Sequence, residues 1–169
     1  TYGIALSPSF GDDGTLFASY REIEPSGEHP ESGVIRSTDG GASWELATAG
    51  LPGTYEPFPQ SLALSPDFAA DGMLYTALSG APFLGPNQVY ASASAGDSWA
   101  PLPPIPEEPS LFKLSVSSEQ GGYDTLHAGT GAGAWHYSSA CFNVIANGGF
   151  EFDTGWIPPT NSLLAGCQL

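Results

Sequence analysis

The sequence predicts an all-β protein: about three four-stranded antiparallel units in series, followed by a C-terminal strand segment. Three observations carry this expectation. The chain repeats itself, the repeated segments are short and bounded by turns, and no stretch shows the 3.6-residue apolar period of a helix. Glycine (22) and proline (16) exceed a fifth of the 169 residues, which favours frequent turns. Hydrophobic residues at 41% and aromatics at 12% suffice for a packed core.

The first unit covers about 1–50, with strands GIALSPSF, TLFASY, GVIRST and SWELAT, the last pair joined through RSTDGGASW. The second covers about 58–104. There IALSPSFGDDGTLFASY (4–20) returns as LALSPDFAADGMLYTAL (62–78), with Asp13-Gly14 and Asp71-Gly72 58 residues apart. GVIRSTDGGASWELA (33–47) returns as QVYASASAGDSWAPL (88–102), but Trp44 and Trp99 are 55 apart, so the second copy has lost three loop residues. The third unit, about 110–139, supplies LFKLSVS, TLHAGT and GAWHYS, without a counterpart of the DGGASW turn or a clear fourth strand. Four short strands in about fifty residues is the size of one propeller blade. A closed propeller needs about four to eight blades, so roughly three leave both flanks of the stack bare. The chain is then a piece of a longer one, or two chains close a ring, or copies stack in an open series.

Charge removes several function classes. Three basic residues, Arg21, Arg36 and Lys113, face eighteen acids, for a net charge of −15. Nucleic-acid binding needs Lys and Arg to neutralise phosphates, and an anionic membrane surface would repel this chain. No apolar run approaches the ~20 residues of a membrane span, so membrane insertion is not expected. With Thr1 at its start and no secretory leader, the chain reads as a mature or trimmed product. No cofactor is expected; weak calcium binding at Asp12-Asp13 is the minor alternative, since that stretch lacks a ladder of oxygen ligands. Cys141 and Cys167 form an even pair, and an extracellular or cell-surface setting would let them join, within one chain or between subunits.

The stretch Ser37, Thr38, Asp39, Gly40, Gly41, Ala42, Ser43, Trp44 matches a Ser-x-Asp-x-Gly-x-Ser/Thr-Trp pattern, and so resembles the Asp-box, or bacterial neuraminidase repeat. The LSPDFAADGMLYTA lead-in is similar to blades of sortilin-like and photosystem-assembly-like propellers. The resemblance covers roughly residues 1–138. It implies a structural hairpin between the third and fourth strands of each blade, built in the first copy from Ser37, Asp39, Gly41, Ser43 and Trp44. In the second copy the matching residues are Ser92, Ser94, Gly96, Ser98 and Trp99, with Ser94 where the family has Asp. Physical chemistry agrees: Asp and Ser side chains accept bonds from turn N–H groups, Gly supplies positive φ, and each Trp is expected to bury its ring against the blade.

Catalysis is not expected. A sialidase binds its substrate carboxylate with three arginines, and this chain holds two. His29, His127 and His136 are the only histidines; His127 and His136 fall on adjacent predicted strands, with no further ligand at a metal spacing. GTGAGAW (129–135) joins two strands and reads as a loop. Tyr90, Trp99, Trp135 and Tyr137 offer faces for stacking on sugars, or fill the core. The tail, 141–169, contains NVIANGGFEFDTGW, which resembles the opening strand of jelly-roll carbohydrate-binding modules through Asn147, Gly148, Gly149, Phe150, Glu151, Gly155 and Trp156. Its apolar residues Phe142, Val144, Ile145, Phe150 and Trp156 are expected to serve as a clasp on its own blade or as a strand donated to a neighbour. The expected function is that of a non-catalytic structural protein. It would assemble with itself through exposed blade edges and the C-terminal strand, into rings, filaments or tubes. A glycan-binding module or a fragment of a carbohydrate-active enzyme is the alternative, and an assembly chaperone the third.

Overall fold

The computed structural model describes residues 2–21, 32–52, 58–80, 87–105, 110–119 and 123–138. Cys141, Cys167, His29 and the tail residues Phe142, Val144, Ile145, Phe150 and Trp156 lie outside them. The all-β prediction holds, in three antiparallel sheets. Blade 1 contains β1 (Ile4–Leu6), β2 (Leu16–Arg21), β3 (Ser32–Ser37) and β4 (Glu45–Leu46). Blade 2 contains β5 (Phe58–Leu64), β6 (Leu74–Ser79), β7 (Gln88–Ser92) and β8 (Ala100–Pro101). Blade 3 contains β9 (Leu111–Glu119), β10 (Tyr123–Thr130) and β11 (Gly133–Ser138). Each strand pairs with its neighbour in sequence, so every blade is a meander.

Two features differ from the sequence expectation. The fourth strands are only two residues long, although Ala47 N–H to Val34 O and Leu102 N–H to Val89 O, both 2.8 Å, carry the pairing one residue further. Two four-residue helical turns, α1 (Phe10–Asp13) and α2 (Phe68–Asp71), interrupt the GIALSPSF and LALSPDF segments. A single turn has no apolar period to detect, so periodicity could not find them.

Both turns are locked the same way. Gly14 (φ 60°) and Gly72 (φ 62°) adopt the left-handed cap conformation that glycine reaches without a Cβ penalty. Asp13 takes the Ser7 hydroxyl on one oxygen (2.6 Å) and the Thr15 N–H on the other (2.7 Å). Asp71 does the same with Ser65 (2.7 Å) and the Met73 N–H (2.8 Å). Hydrogen bonds from the Ser7 hydroxyl and the Thr15 N–H hold the Asp13 carboxyl below its ordinary value.

Strand alternation gives each blade two faces. We call the face toward the following blade its back and the other its front. The back of blade 1 (Phe17, Val34, Ala47) packs on the front of blade 2 (Leu62, Phe68, Leu74, Trp99), with Phe17 and Phe68 edge to face at 5.7 Å. The back of blade 2 (Ala63, Tyr75, Ala77, Val89) packs on the front of blade 3 (Leu114, Leu126, Ala128, Trp135, Tyr137). Each large side chain buried in these seams contributes on the order of 1.5–3 kcal/mol. The core is therefore two seams between sheets.

Candidate interaction surface

The hairpin joining β3 to β4 consumes its own polar groups. Ser37 Oγ donates to Asp39 Oδ1 (2.8 Å) and accepts the Gly41 N–H (2.9 Å). Asp39 also accepts the Ser43 N–H (2.8 Å) and the Ser43 hydroxyl (2.6 Å). The Ser43 hydroxyl first, then the Ser43 N–H and the Ser37 hydroxyl, pull the Asp39 carboxyl down to about 2. Gly40 (φ 73°) and Gly41 (φ 94°) supply the left-handed turn.

The hairpin between β7 and β8 keeps the pattern with a hydroxyl in the carboxylate's place. Ser94 Oγ accepts the Ser98 N–H (3.0 Å) and lies 3.1 Å from Ser98 Oγ, while Ser92 Oγ accepts the Gly96 N–H (3.0 Å). Ala95 occupies Gly40's position at φ 51°, a conformation that costs a residue with a Cβ roughly 1–2 kcal/mol. Each hairpin is also tied to the helical turn beside it, Gly40 N–H to Gly14 O and Ala95 N–H to Gly72 O, both 3.0 Å.

The two tryptophans part company. Trp99 is 6% exposed; its indole N–H donates to Ala47 O and its backbone N–H to Ala49 O, both 2.8 Å and both on blade 1. A Cβ at Gly96 would lie 3.1 Å from the Phe17 ring and 3.2 Å from Ala47 Cβ, so blade 1 closes tightly over the hairpin. Arg36 completes the seam. It donates from Nη1 to Ala95 O (2.6 Å), reaches Asp97 (2.9 Å), and holds Glu45 with Nη2 (2.7 Å). Trp44, by contrast, is 40% exposed, and its indole folds back to Gly41 O at 3.1 Å. The expectation that both rings are buried is therefore corrected for Trp44. Burial of this ring comes from the preceding blade, and among the described residues none stands before blade 1.

The same contrast extends to other positions on the front of blade 1, although Leu16 and Ala18 on that face are buried. Ile4 is 60% exposed where its counterpart Leu62 is 6%, and Leu46 is 58% exposed on the fourth strand. Leu6 is also exposed, and Asp12 and Asp39 stand on the rim. At the far end, the back of blade 3 carries Lys113, Ser115, Ser117, His127 and His136, the residues that alternate with its seam-facing side chains. His127 and His136 are register partners with rings 6.4 Å apart, and Ser117 Oγ lies 2.9 Å from His127 Nε2. Among the described residues no three metal-ligating side chains cluster.

Trp99, Trp135 and Tyr137 sit inside the seams, and Tyr90 packs partly buried against one of them. None of these four presents an open ring. Both arginines are engaged as well: Arg36 in the seam, Arg21 with its guanidinium carbon 4.5 Å from the Phe58 ring centroid. Sequence reasoning missed the Ser7–Asp13 and Ser65–Asp71 locks, although their signal was present in the twice-written Leu-Ser-Pro-x-Phe-x-x-Asp-Gly.

Three meander sheets stacked face to face, with a hairpin repeated in the first two blades, define a propeller-like all-β repeat protein. The chain is similar in structure to the GH74 xyloglucanase from Xanthomonas campestris, a β-propeller enzyme, with a TM-score of 0.50 and 21% identity over 80% of this chain. It spans 19% of that protein, and a likeness at this identity shows the fold alone. No protein-family model matches the chain, and no curated protein does. Among the described residues no helix is long and apolar enough to cross a membrane.

Proposed function

We propose that this chain is a non-catalytic structural protein that acts by association through its bare blade faces, joining copies of itself into rings, filaments or tubes outside the cell or at its surface. One observation carries the reading: Ile4 and Trp44 are open on the front of blade 1 where their counterparts Leu62 and Trp99 are buried in the seam before blade 2, and Leu6 and Leu46 add exposed apolar surface to the same blade. In this reading the Ser37–Trp44 and Ser92–Trp99 hairpins are Asp-boxes in a structural role, with Ser37, Asp39, Ser43, Ser92, Ser94 and Ser98 bonded within their turns. The tail, 141–169, adds a clasp or a donated strand. Electron microscopy and sedimentation of the untagged chain at neutral pH test the proposal. Ordered assemblies larger than the 17.5 kDa monomer support it, and a monomer at every accessible concentration refutes it. Deleting 141–169 should dissolve the assembly; an unchanged particle removes the tail from the mechanism.

A second reading, a glycan-binding module or a piece of a carbohydrate-active enzyme, draws on the half-exposed Trp44 ring and on the xyloglucanase likeness. A glycan array separates the two. Reproducible binding abolished by Trp44→Ala favours the second reading, since an indole face is a common platform for a sugar ring.

A further inference from the structure

Among the described residues no blade packs on the front of blade 1 or the back of blade 3, and these two faces differ in a complementary way. Register places the back of blade 3 position for position on the back of blade 1. Phe17 pairs with Ala5 and Arg36; His127, its counterpart, pairs with Ser115 and His136. Lys113 stands where blade 1 has Gly3, beside Gly129 as Gly3 is beside Ser19. The first seam is uncharged at the Gly3 and Phe17 places and carries Arg36, ion-paired with Glu45 and Asp97, at the third, whereas the outward-facing back of blade 3 carries Lys113 and two imidazoles there. The front faces have changed in the opposite sense. Blade 2, whose front is covered, has Ala70 and Ser94; blade 1, whose front is open, has Asp12 and Asp39 at the same repeat positions.

With Arg21 over Phe58 and Arg36 in the first seam, Lys113 is the one basic residue of the chain standing on an outer blade face. Its methylene stem brings apolar surface to that face as well. The seam between blades 1 and 2 shows what a blade front receives: the back of another blade, with a side chain at the Arg36 position reaching the carbonyl at the Ala95 position.

We propose that the front of blade 1 docks the back of blade 3 of a second copy, head to tail. The contact reuses the geometry of the first internal seam, with Ile4, Leu46 and Trp44 at its centre. His136 approaches the Gly40 carbonyl, and Lys113 approaches the acidic rim. Opposite charges fix the direction of approach and exclude front-to-front pairing, which would set the Asp12 and Asp39 rims of two copies against each other. A heterologous contact of this kind closes into a ring or runs on as a filament. The inference rests on the association reading above and adds both surfaces and their polarity.

Two blocked variants test it. Ile4→Glu with Leu46→Glu spoils the front, and Lys113→Glu with His127→Glu spoils the back; all four positions are exposed, and circular dichroism verifies folding. If the front pair perturbs the fold, Leu46→Ser replaces it. Sedimentation velocity should find the wild type assembled, each variant monomeric alone, and a 1:1 mixture forming a dimer of about twice the 17.5 kDa chain, because one intact front meets one intact back. The mixed dimer should weaken at least tenfold between low and high salt. A back-blocked variant that dimerises alone would mean front-to-front pairing and overturns the inference. Assembly that survives in both variants also overturns it, while leaving association through the tail standing. A wild type that never associates removes both the inference and the reading beneath it.

Discussion

Trp44 and Trp99 occupy the same place in two repeats, so replacing each by alanine isolates the effect of a neighbouring blade. At Trp99 the ring is 6% exposed, and its indole satisfies Ala47 O at 2.8 Å. Removing it opens a cavity in the first seam and strands that carbonyl, so Trp99→Ala should cost about 3–5 kcal/mol. At Trp44 the ring is 40% exposed and bonds only to its own hairpin, so Trp44→Ala should cost about 1–2 kcal/mol. Urea unfolding followed by far-UV circular dichroism reads the difference. With a slope of about 2 kcal/mol/M, the two midpoints should lie about 1 M apart. The experiment belongs at low protein concentration, because a docked copy would cover Trp44 and raise its cost. Losses equal to within about 0.5 kcal/mol in the dilute monomer would refute the claim that the preceding blade, and not the hairpin, buries this ring.

Ala95→Gly should stabilise the chain by about 1 kcal/mol by relieving the φ of 51°, and a fall in Tm would contradict that account of the turn. Ser94→Asp should stabilise the second hairpin by roughly 0.5–1.5 kcal/mol, since a carboxylate offers two oxygens to Ser92 and Ser98; thermal unfolding measures it, and no gain would mean the hydroxyl already suffices. Because the Asp39 carboxyl falls from 3.8 to about 2 on folding, its contribution is complete above 3.8 and disappears as pH drops through about 2. Amide exchange should show the Ser43 N–H losing protection across that window while the Ser98 N–H, bonded to a hydroxyl, does not. Equal loss at both sites would contradict the assignment. Arg36→Gln should loosen the first seam by about 1–3 kcal/mol, since it removes the ion pair to Asp97 and weakens the bond to Ala95 O. An unfolding midpoint that does not move would show the seam to be held by its apolar side chains alone.

The repeats made most of the fold legible. A segment written twice with its Asp-Gly and its Trp in step is most simply one structural unit used twice, and the strand order followed. The α1 and α2 turns stayed hidden because four residues carry no period, though the recurrence of Ser7 with Asp13 and Ser65 with Asp71 was a signal awaiting a mechanism. The burial of Trp99 and the exposure of Trp44 could not be read locally, because the decisive partner, Ala47 O, lies 52 residues away on another sheet. The polar back of blade 3 is an intermediate case. His127 stands at the register of Phe17, and that substitution was visible in the aligned copies, but its meaning depended on knowing which face of the strand turns outward.

The unequal spacing of the two repeats has a practical consequence. Leu16 pairs with Ser37 and Leu74 with Ser92, so the same two strands meet in the same register across 21 residues in one blade and 18 in the other. At one end of each blade the helical turn and the hairpin are stitched together by Gly14 with Gly40, or Gly72 with Ala95. Length there is not negotiable. The opposite end, between β2 and β3 or between β6 and β7, absorbed a three-residue deletion without shifting a single cross-strand partner. That is where foreign sequence could be spliced in, an epitope or a short recognition peptide, and carried by the sheet as cargo.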